Sequence, residues 1–592
     1  MRGDGNKSQT ADAVGREIAR RVGATFVALG TLGRDNGKLV LDLTVHSVKS
    51  GELVRNAVLS NENALSLADE AAVRILDAAN VSSAGARAVE IETFSLEAYQ
   101  HYMRSVEAAI AGHNAENTRE LDAAIALDSG FITAVRDRLG NAISADDTLM
   151  MRRLREVMRR YASRASEFDR MSQEAIDAFS AGERDRSEAL ARAVVRRYPR
   201  DPRALRVLES VLGGHGQLEE SERVVRAAIA VDSLAMEAGT GPCAPCLHLY
   251  SMVNLHWARG DWPGAAEWAR RWIRLQPDAP ASWHALAWTY SYMQRPDSAL
   301  QLLQRTMSLA GGEGWAIEQY ARMLMVARRY AQAESTIVSM ETSSIAENRE
   351  AAYDLRSLLQ REHGNFRAAN RTMDRYAAEF PGSLGFSDMI RADNNRMLGD
   401  YAQAYRWYHA SGHPGPPLPM PIPSGSARGF CWRHALAGDA YSPTGDTVTL
   451  KVLADTLEHG CVRSFFYRDW GLYHHVRGLV ALQAGRYEEA ERELKQAVFA
   501  KVEPWNRTIV ALAQAQSALG RPRDALATLR IGYATRLDAM SRYVPISVLD
   551  FWSAQMFAKA GATDSARVYA GYVRSAWRNA DPEIKKQLAQ LP

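Results

Sequence analysis

Cysteine is scarce in this chain: four in 592 residues, too few for a disulfide framework, so the default expectation is reduced thiols in a reducing compartment. Neither charge sign is in real excess. Seventy-two basic residues stand against 69 acidic ones, a formal net charge of +3, so charge alone implies no polyanionic partner. No uninterrupted apolar run approaches the roughly 20 residues a membrane-spanning helix needs. The start, MRGDGNKSQTADAVGREIARRVG, has no apolar stretch of the kind that marks a secretory signal. These absences together give the expectation of a soluble, cytoplasmic chain without a membrane partner. The signatures GxxxxGK[ST], HExxH and GxSxG, the kinase loop set and the EF-hand loop do not occur either. No catalytic residue, metal ligand set or cofactor is therefore assigned, and the chain is expected not to be an enzyme.

Charged residues make up 24% and hydrophobic residues 46% of the sequence, the composition of folded protein rather than disorder. At this length one compact core is excluded, and several domains or a repeat array must follow.

Strand character is confined to residues 24–59. There ATFVALGTL is apolar, GKLVLDLTVHSV alternates Leu39, Leu41, Leu43 and Val45, and GELVRNAVLS follows a turn-like KSG. Between the first two lies RDNG at 34–37, a hairpin signal because Asn and Gly tolerate positive φ. Helices are expected at about 16–23 and 65–79, so 1–85 reads as a small α/β domain. The stretch VGREIARRVGATFVALGTLGR, with its return VHSVKSGELV, resembles the amino-terminal domain of TolB-like proteins over about 10–80, without the earlier strand and helix usual there.

From residue 95 the strand signals stop and a period begins. Small or turn residues followed five positions later by Ala or Ser occur at Gly182, Gly216, Gly260, Gln294, Arg328, Gly364, Gly399, Gly485, Gly520 and Gly561. The intervals are 34, 44, 34, 34, 36, 35, 86, 35 and 41, mostly the length of one helix-turn-helix unit. The small residue five after each anchor, Ser187 and Ser221 and then Ala265 through Ala566, lets two antiparallel helices approach closely. Proline at Pro199, Pro277 and Pro381, 17 residues past three of the anchors, stops the second helix.

This pattern resembles the tetratricopeptide repeat, best in ASWHALAWTYSYMQRPDSALQLLQRTMSL, where Trp283, Leu286, Ala287, Tyr290 and Ala299 hold consensus positions. The expected fold is mostly α: a helix-turn-helix solenoid, or superhelix, preceded by the small α/β segment. It divides into 95–410 and 430–592 around SGHPGPPLPMPIPSGSARG at 411–429, which carries six of the 21 prolines and reads as an extended linker or loop. In the resembling family the first helix of each repeat lines a concave groove. That places Leu247, Tyr250, Asn254, Trp257, His284, Trp288, Trp315, Glu318, Arg322 and Met325 on the groove, a surface suited to a protein or peptide partner. TolB-like domains followed by such arrays resemble the carboxy-terminal parts of bacterial regulators, which implies the sensory or interaction part of a signalling or transcriptional regulator.

Two other features carry alternatives. MMRRLREVMRRYASRASEFDR supplies Arg152, Arg153, Arg155, Arg159, Arg160 and Arg164 in one helical region, a nucleic-acid contact if the face were free of acids and backed by stacking aromatics. Acidic neighbours and a lone Tyr161 favour a solvated helix face. GPCAPCLHLY at 241–250 contains the thiol pair Cys243 and Cys246, which permits redox chemistry, a zinc half-site or a structural turn. The absence of a preceding strand and of further ligands favours the turn. His474 and His475 are adjacent and point about 100° apart on a helix, so with His434 they read as structural.

Overall fold

The structure, a computed structural model, describes residues 13–20, 24–79, 93, 95–144, 148–199, 201–231, 246–380, 384–410, 424–497, 505–533 and 544–592. The chain divides into two compact units. One comprises Met1–Gln173 with Asp232–Ala244, the other Glu174–Val231 with Pro245–Pro592.

The first unit opens with a three-stranded antiparallel meander, β1 (Phe26–Asp35), β2 (Lys38–Ser47) and β3 (Leu53–Asn61), in the order β1-β2-β3. Its hairpin turns at Asn36 and Gly37, both at positive φ, as the RDNG signal demands. Alternate residues of β2 face the Ala64–Ala78 helix, so Leu43 and Leu59 join Leu67 and Ala71 in a small core. Asn63 starts that helix by accepting hydrogen bonds from the backbone N–H groups of Leu65 and Ser66. Helix pairs Leu96–Ala111 with Asn114–Leu127, and Ile132–Ser144 with Thr148–Arg160, follow in the same unit.

The second unit is a solenoid of antiparallel helix pairs, and the expectation of a mostly α tetratricopeptide-like fold behind a small sheet is met. Every anchor read from the period, from Gly182 to Gly561, sits at positive φ, including the non-glycine residues Gln294 and Arg328. The left-handed residue ends each first helix and redirects the chain into the second, which is why the anchor recurs. The residue five later, at Ser187, Ser221, Ala265, Ala299, Ala333, Ala369, Ala404, Ala490, Ala525 and Ala566, has no exposed surface at any of the ten positions. A larger side chain there would force the paired helices apart.

The long interval between Gly399 and Gly485 contains one more helix pair, Ser424–Tyr441 and Thr447–Cys461, with a left-handed Gly445 between them. Five residues on stands buried Leu450 rather than a small residue, so the sequence pattern passed over it. The Ser424–Tyr441 helix takes in 424–429 of the expected proline-rich connection; residues 411–423 lie outside the described residues. The boundary between compact units falls at 173/174, inside the repeat region, rather than at that connection.

The cause lies in contacts that fold the second unit back on itself. In one belt the early repeats meet residues 463–470. The Arg184 guanidinium lies 3.5 Å over the Trp470 ring, and Phe179 packs on Phe465 at 5.4 Å between ring centroids. A Cβ on Gly182 would come within 2.3 Å of the Arg463 carbonyl oxygen, so only glycine permits this approach. In the other belt, Arg328 donates to Asp550 at 2.9 and 2.5 Å, His363 bonds the Ala576 carbonyl at 3.0 Å, and Arg367 grips Glu583 at 2.7 and 2.8 Å. The buried carboxylate of Glu362 accepts from the N–H groups of Ile546 at 2.8 Å and Ser547 at 3.0 Å, closing the first turn of the Ile546–Lys559 helix from 184 residues away.

Candidate functional site

The first helices of three successive repeats, Cys246–Arg259, Pro280–Tyr292 and Gly314–Val326, lie in chain order between the two belts. Each first helix hands a polar side chain to the next. Trp257 Nε1 donates to Thr289 Oγ1 at 2.9 Å, Trp288 Nε1 donates to Gln319 Oε1 at 3.1 Å, and Arg322 bonds both Glu318 and Asp354. The ladder continues as Arg361 with Asp393, and Arg507 then joins Asp393 at 2.7 Å to Asp439 at 3.4 Å. His475 Nε2 meets Asp439 at 3.2 Å while its Nδ1 faces the Thr508 hydroxyl at 3.0 Å. Burial works to raise the Asp393 carboxyl, but the guanidiniums of Arg507, Arg396 and Arg361 hold it well below the usual carboxylate range. Asp439 is likewise lowered: His475 and Arg507 outweigh its burial.

This ladder divides the ten residues placed on the groove by their spacing. Trp257, Trp288, Arg322 and Met325 are each 2% exposed or less: the next repeat covers them, and they hold neighbouring helices together instead of facing a partner. Leu247, Asn254, His284, Trp315 and Glu318 keep part of their surface, and Tyr250 is 39% exposed. The rings of this second group are held. Tyr250 packs on Trp272 with centroids 5.8 Å apart, His284 meets Trp315 edge-on at 5.4 Å, and Trp315 Nε1 donates to Glu313 at 2.8 Å. Rings fixed in this way lose little conformational freedom when a ligand covers them. Among the ladder members missed by sequence reasoning, Asp354 and Asp393 left a trace in the 32-residue spacing of Arg322 with Asp354 and Arg361 with Asp393, whereas Asp439 and Arg507 left none.

The remaining candidates fall elsewhere. Cys431 and Cys461 form a disulfide with Cα atoms 5.7 Å apart, joining the Ser424–Tyr441 and Thr447–Cys461 helices, and both are fully buried. Cys246, the first residue of its helix, is also disulfide-bonded, whereas Cys243 lies outside the described residues. The expectation of reduced thiols is corrected at Cys246, Cys431 and Cys461. Among the described residues no helix is long and apolar enough to cross a membrane, and no group of three His, Cys, Asp or Glu side chains could hold a metal. His474 bonds Glu493 at 2.8 Å and His434 bonds the Phe430 carbonyl at 2.8 Å. In the basic stretch, Arg164 turns away from the others to make two 2.8 Å bonds to Asp128. Arg152, Arg153, Arg155, Arg159 and Arg160 are exposed on the Thr148–Arg160 helix.

No curated protein matches this chain. Among solved structures, the chain is similar to the APC/C hetero-tetramer Cut9–Hcn1, at 11% identity over 84% of this chain and 96% of that one, TM-score 0.31. It is similar to Naa15/Naa10 bound to HypK-THB at 12% identity over 72% and 79%, TM-score 0.23. A tetratricopeptide repeat protein from Parabacteroides merdae aligns at 13% identity over 59% of this chain and 98% of that one, TM-score 0.27. The tetratricopeptide repeat family matches residues 282–314, and also 247–271, 471–496 and 510–530. These stretches coincide with helix pairs that show the left-handed turn and the buried small residue, so tetratricopeptide repeats lie within the solenoid at these positions.

Proposed function

We propose that this chain is a non-catalytic scaffold that holds a protein or peptide partner against the first helices of repeats 246–326. The observation that carries the reading is the strip formed by Leu247, Tyr250, Asn254, His284, Trp315 and Glu318, contributed by the first helices of three successive repeats and partly open to solvent. Held aromatic rings beside one amide and one carboxylate suit a short amphipathic segment, with apolar anchors and a polar edge that fixes register. The TolB-like resemblance of the amino-terminal segment supports placing this scaffold in a bacterial signalling or transcriptional regulator, as its sensory or interaction part.

The test is affinity capture with the wild-type chain and with a Tyr250→Ala/Trp315→Ala variant of unchanged melting temperature. Loss of the captured partner in the variant is expected. Undiminished capture of the same partner overturns the groove reading. Trp257 and Trp288 are unsuitable targets, because replacing them breaks the ladder between repeats.

A further inference from the structure

The Thr148–Arg160 helix, in the first unit, offers a second surface. At 100° per residue, Arg152, Arg153, Arg155, Arg159 and Arg160 fall within an arc of about 160° and span about 12 Å of helix. The opposite side is apolar and occupied: Leu154 is buried with Val135, Leu139 and Ala142, and Met150, Met151, Val157 and Met158 pack against them. The only acid in the helix is Glu156, which pairs with Arg159.

Elsewhere this chain shows what its surface arginines bind. Arg104 docks on Glu120 at 2.9 Å, Arg138 on Asp122 at 2.8 Å, Arg192 on Glu220 at 2.7 Å and Arg356 on Glu341 at 2.9 Å. In each case a carboxylate on one helix meets a guanidinium on its neighbour. Among the described residues Arg153 and Arg155 have no such partner, and Arg160 rests only on the Tyr161 ring, 5.5 Å from its centroid.

We propose that this arginine face docks an acidic α-helical segment of a partner protein, whose Asp and Glu side chains repeat at i, i+3 or i+4, and i+7. Arg152, Arg155 and Arg159 form one row at that spacing, and Arg153 with Arg160 forms a second, so each row meets one face of such a helix. A lipid surface fits less well, because the apolar side of the helix is taken up by the core and has nothing to insert. Nucleic acid fits less well too. The one adjacent ring, Tyr161, lies under Arg160 with its hydroxyl 3.0 Å from Ser129 Oγ, and so offers no stacking platform.

The test uses the full chain and a fluorescent helix-forming peptide with glutamates on one face. A peptide of the same composition with its glutamates scattered around the helix, a short DNA duplex, and phosphatidylcholine vesicles containing phosphatidylserine serve as competing probes. Saturable binding of the first peptide, weakened by salt, is expected. It should fall about tenfold in an Arg153→Glu/Arg155→Glu/Arg160→Glu variant of unchanged circular dichroism, and a triple Lys variant should bind at an intermediate level. The proposal is overturned if the wild type does not bind the peptide, if the Glu variant binds as well as wild type, or if the scattered peptide, duplex or vesicles bind as tightly.

Discussion

Glu362 carries the most quantitative consequence of the array folding back. Its carboxylate has no exposed surface and ends the first turn of a helix that lies 184 residues further along the chain. Burial pushes the carboxyl up to about 7, against the pull of the Ser547 and Ile546 N–H groups, and the nearby Asp550 charge adds to the rise. In the unfolded chain the same group titrates near 4.5. The folded state therefore holds the proton more tightly. This contribution to stability is fully present below about pH 4.5 and declines as the unfolded chain ionises first. Above about pH 7 it is gone. The separation of the two values corresponds to about 3 kcal/mol in all, most of which falls between pH 5 and pH 8.

Replacing the carboxyl with an amide, Glu362→Gln, keeps an acceptor oxygen for only one of the two N–H groups, which lowers stability by a pH-independent amount, and removes the titration. Hydrogen exchange of amides in the Ile546–Lys559 helix, corrected for intrinsic rates at each pH, reads the opening free energy of that helix. Wild type should lose about 2 to 3 kcal/mol of opening free energy, one to two orders of magnitude in protection, between pH 5 and pH 8 in excess of the variant. Asp354, pushed up to about 6 by burial against the pull of Arg322, contributes in the same direction to both proteins and cancels in the comparison. An equal pH dependence in wild type and variant would refute the reasoning.

Two further outcomes follow from the same contacts. A double-mutant cycle on Arg328→Met and Asp550→Asn, residues 222 apart in sequence, should give a coupling energy of about 1–3 kcal/mol in urea unfolding; a value near zero would mean the second belt does not form. Removing the Cys431–Cys461 bridge by Cys431→Ala/Cys461→Ala frees a loop of 30 residues, so unfolding of the helix pair should become easier by about 3.5 kcal/mol. A thermal transition unchanged from that of the oxidised wild type would contradict this.

The repeat itself was legible because its constraints are local. A left-handed residue at the end of a first helix and a small residue five positions later must both be encoded within one unit, and they recur from Gly182 with Ser187 to Gly561 with Ala566. Where one of the two is relaxed, as at Leu450 after Gly445, the unit escaped notice. The groove spacing selects residues of the first helices from their positions alone. What it lacks is any record of the following repeat, which covers Trp257, Trp288, Arg322 and Met325 and leaves Tyr250 and Trp315 open. The belts were not legible at all. Arg328 with Asp550 and Glu362 with Ile546 join residues too far apart to leave a periodic trace, and Cys431 with Cys461 carries no spacing motif.

A partly open strip, sharing Glu318 with the buried ladder, runs along the first helices of repeats 246–326. Hydroxyl-radical footprinting of the native chain reads side-chain accessibility residue by residue. The account predicts fast oxidation of Tyr250 and Trp315, with Trp257 and Trp288 protected until the chain is unfolded. Equal oxidation of all four in the native state would contradict it.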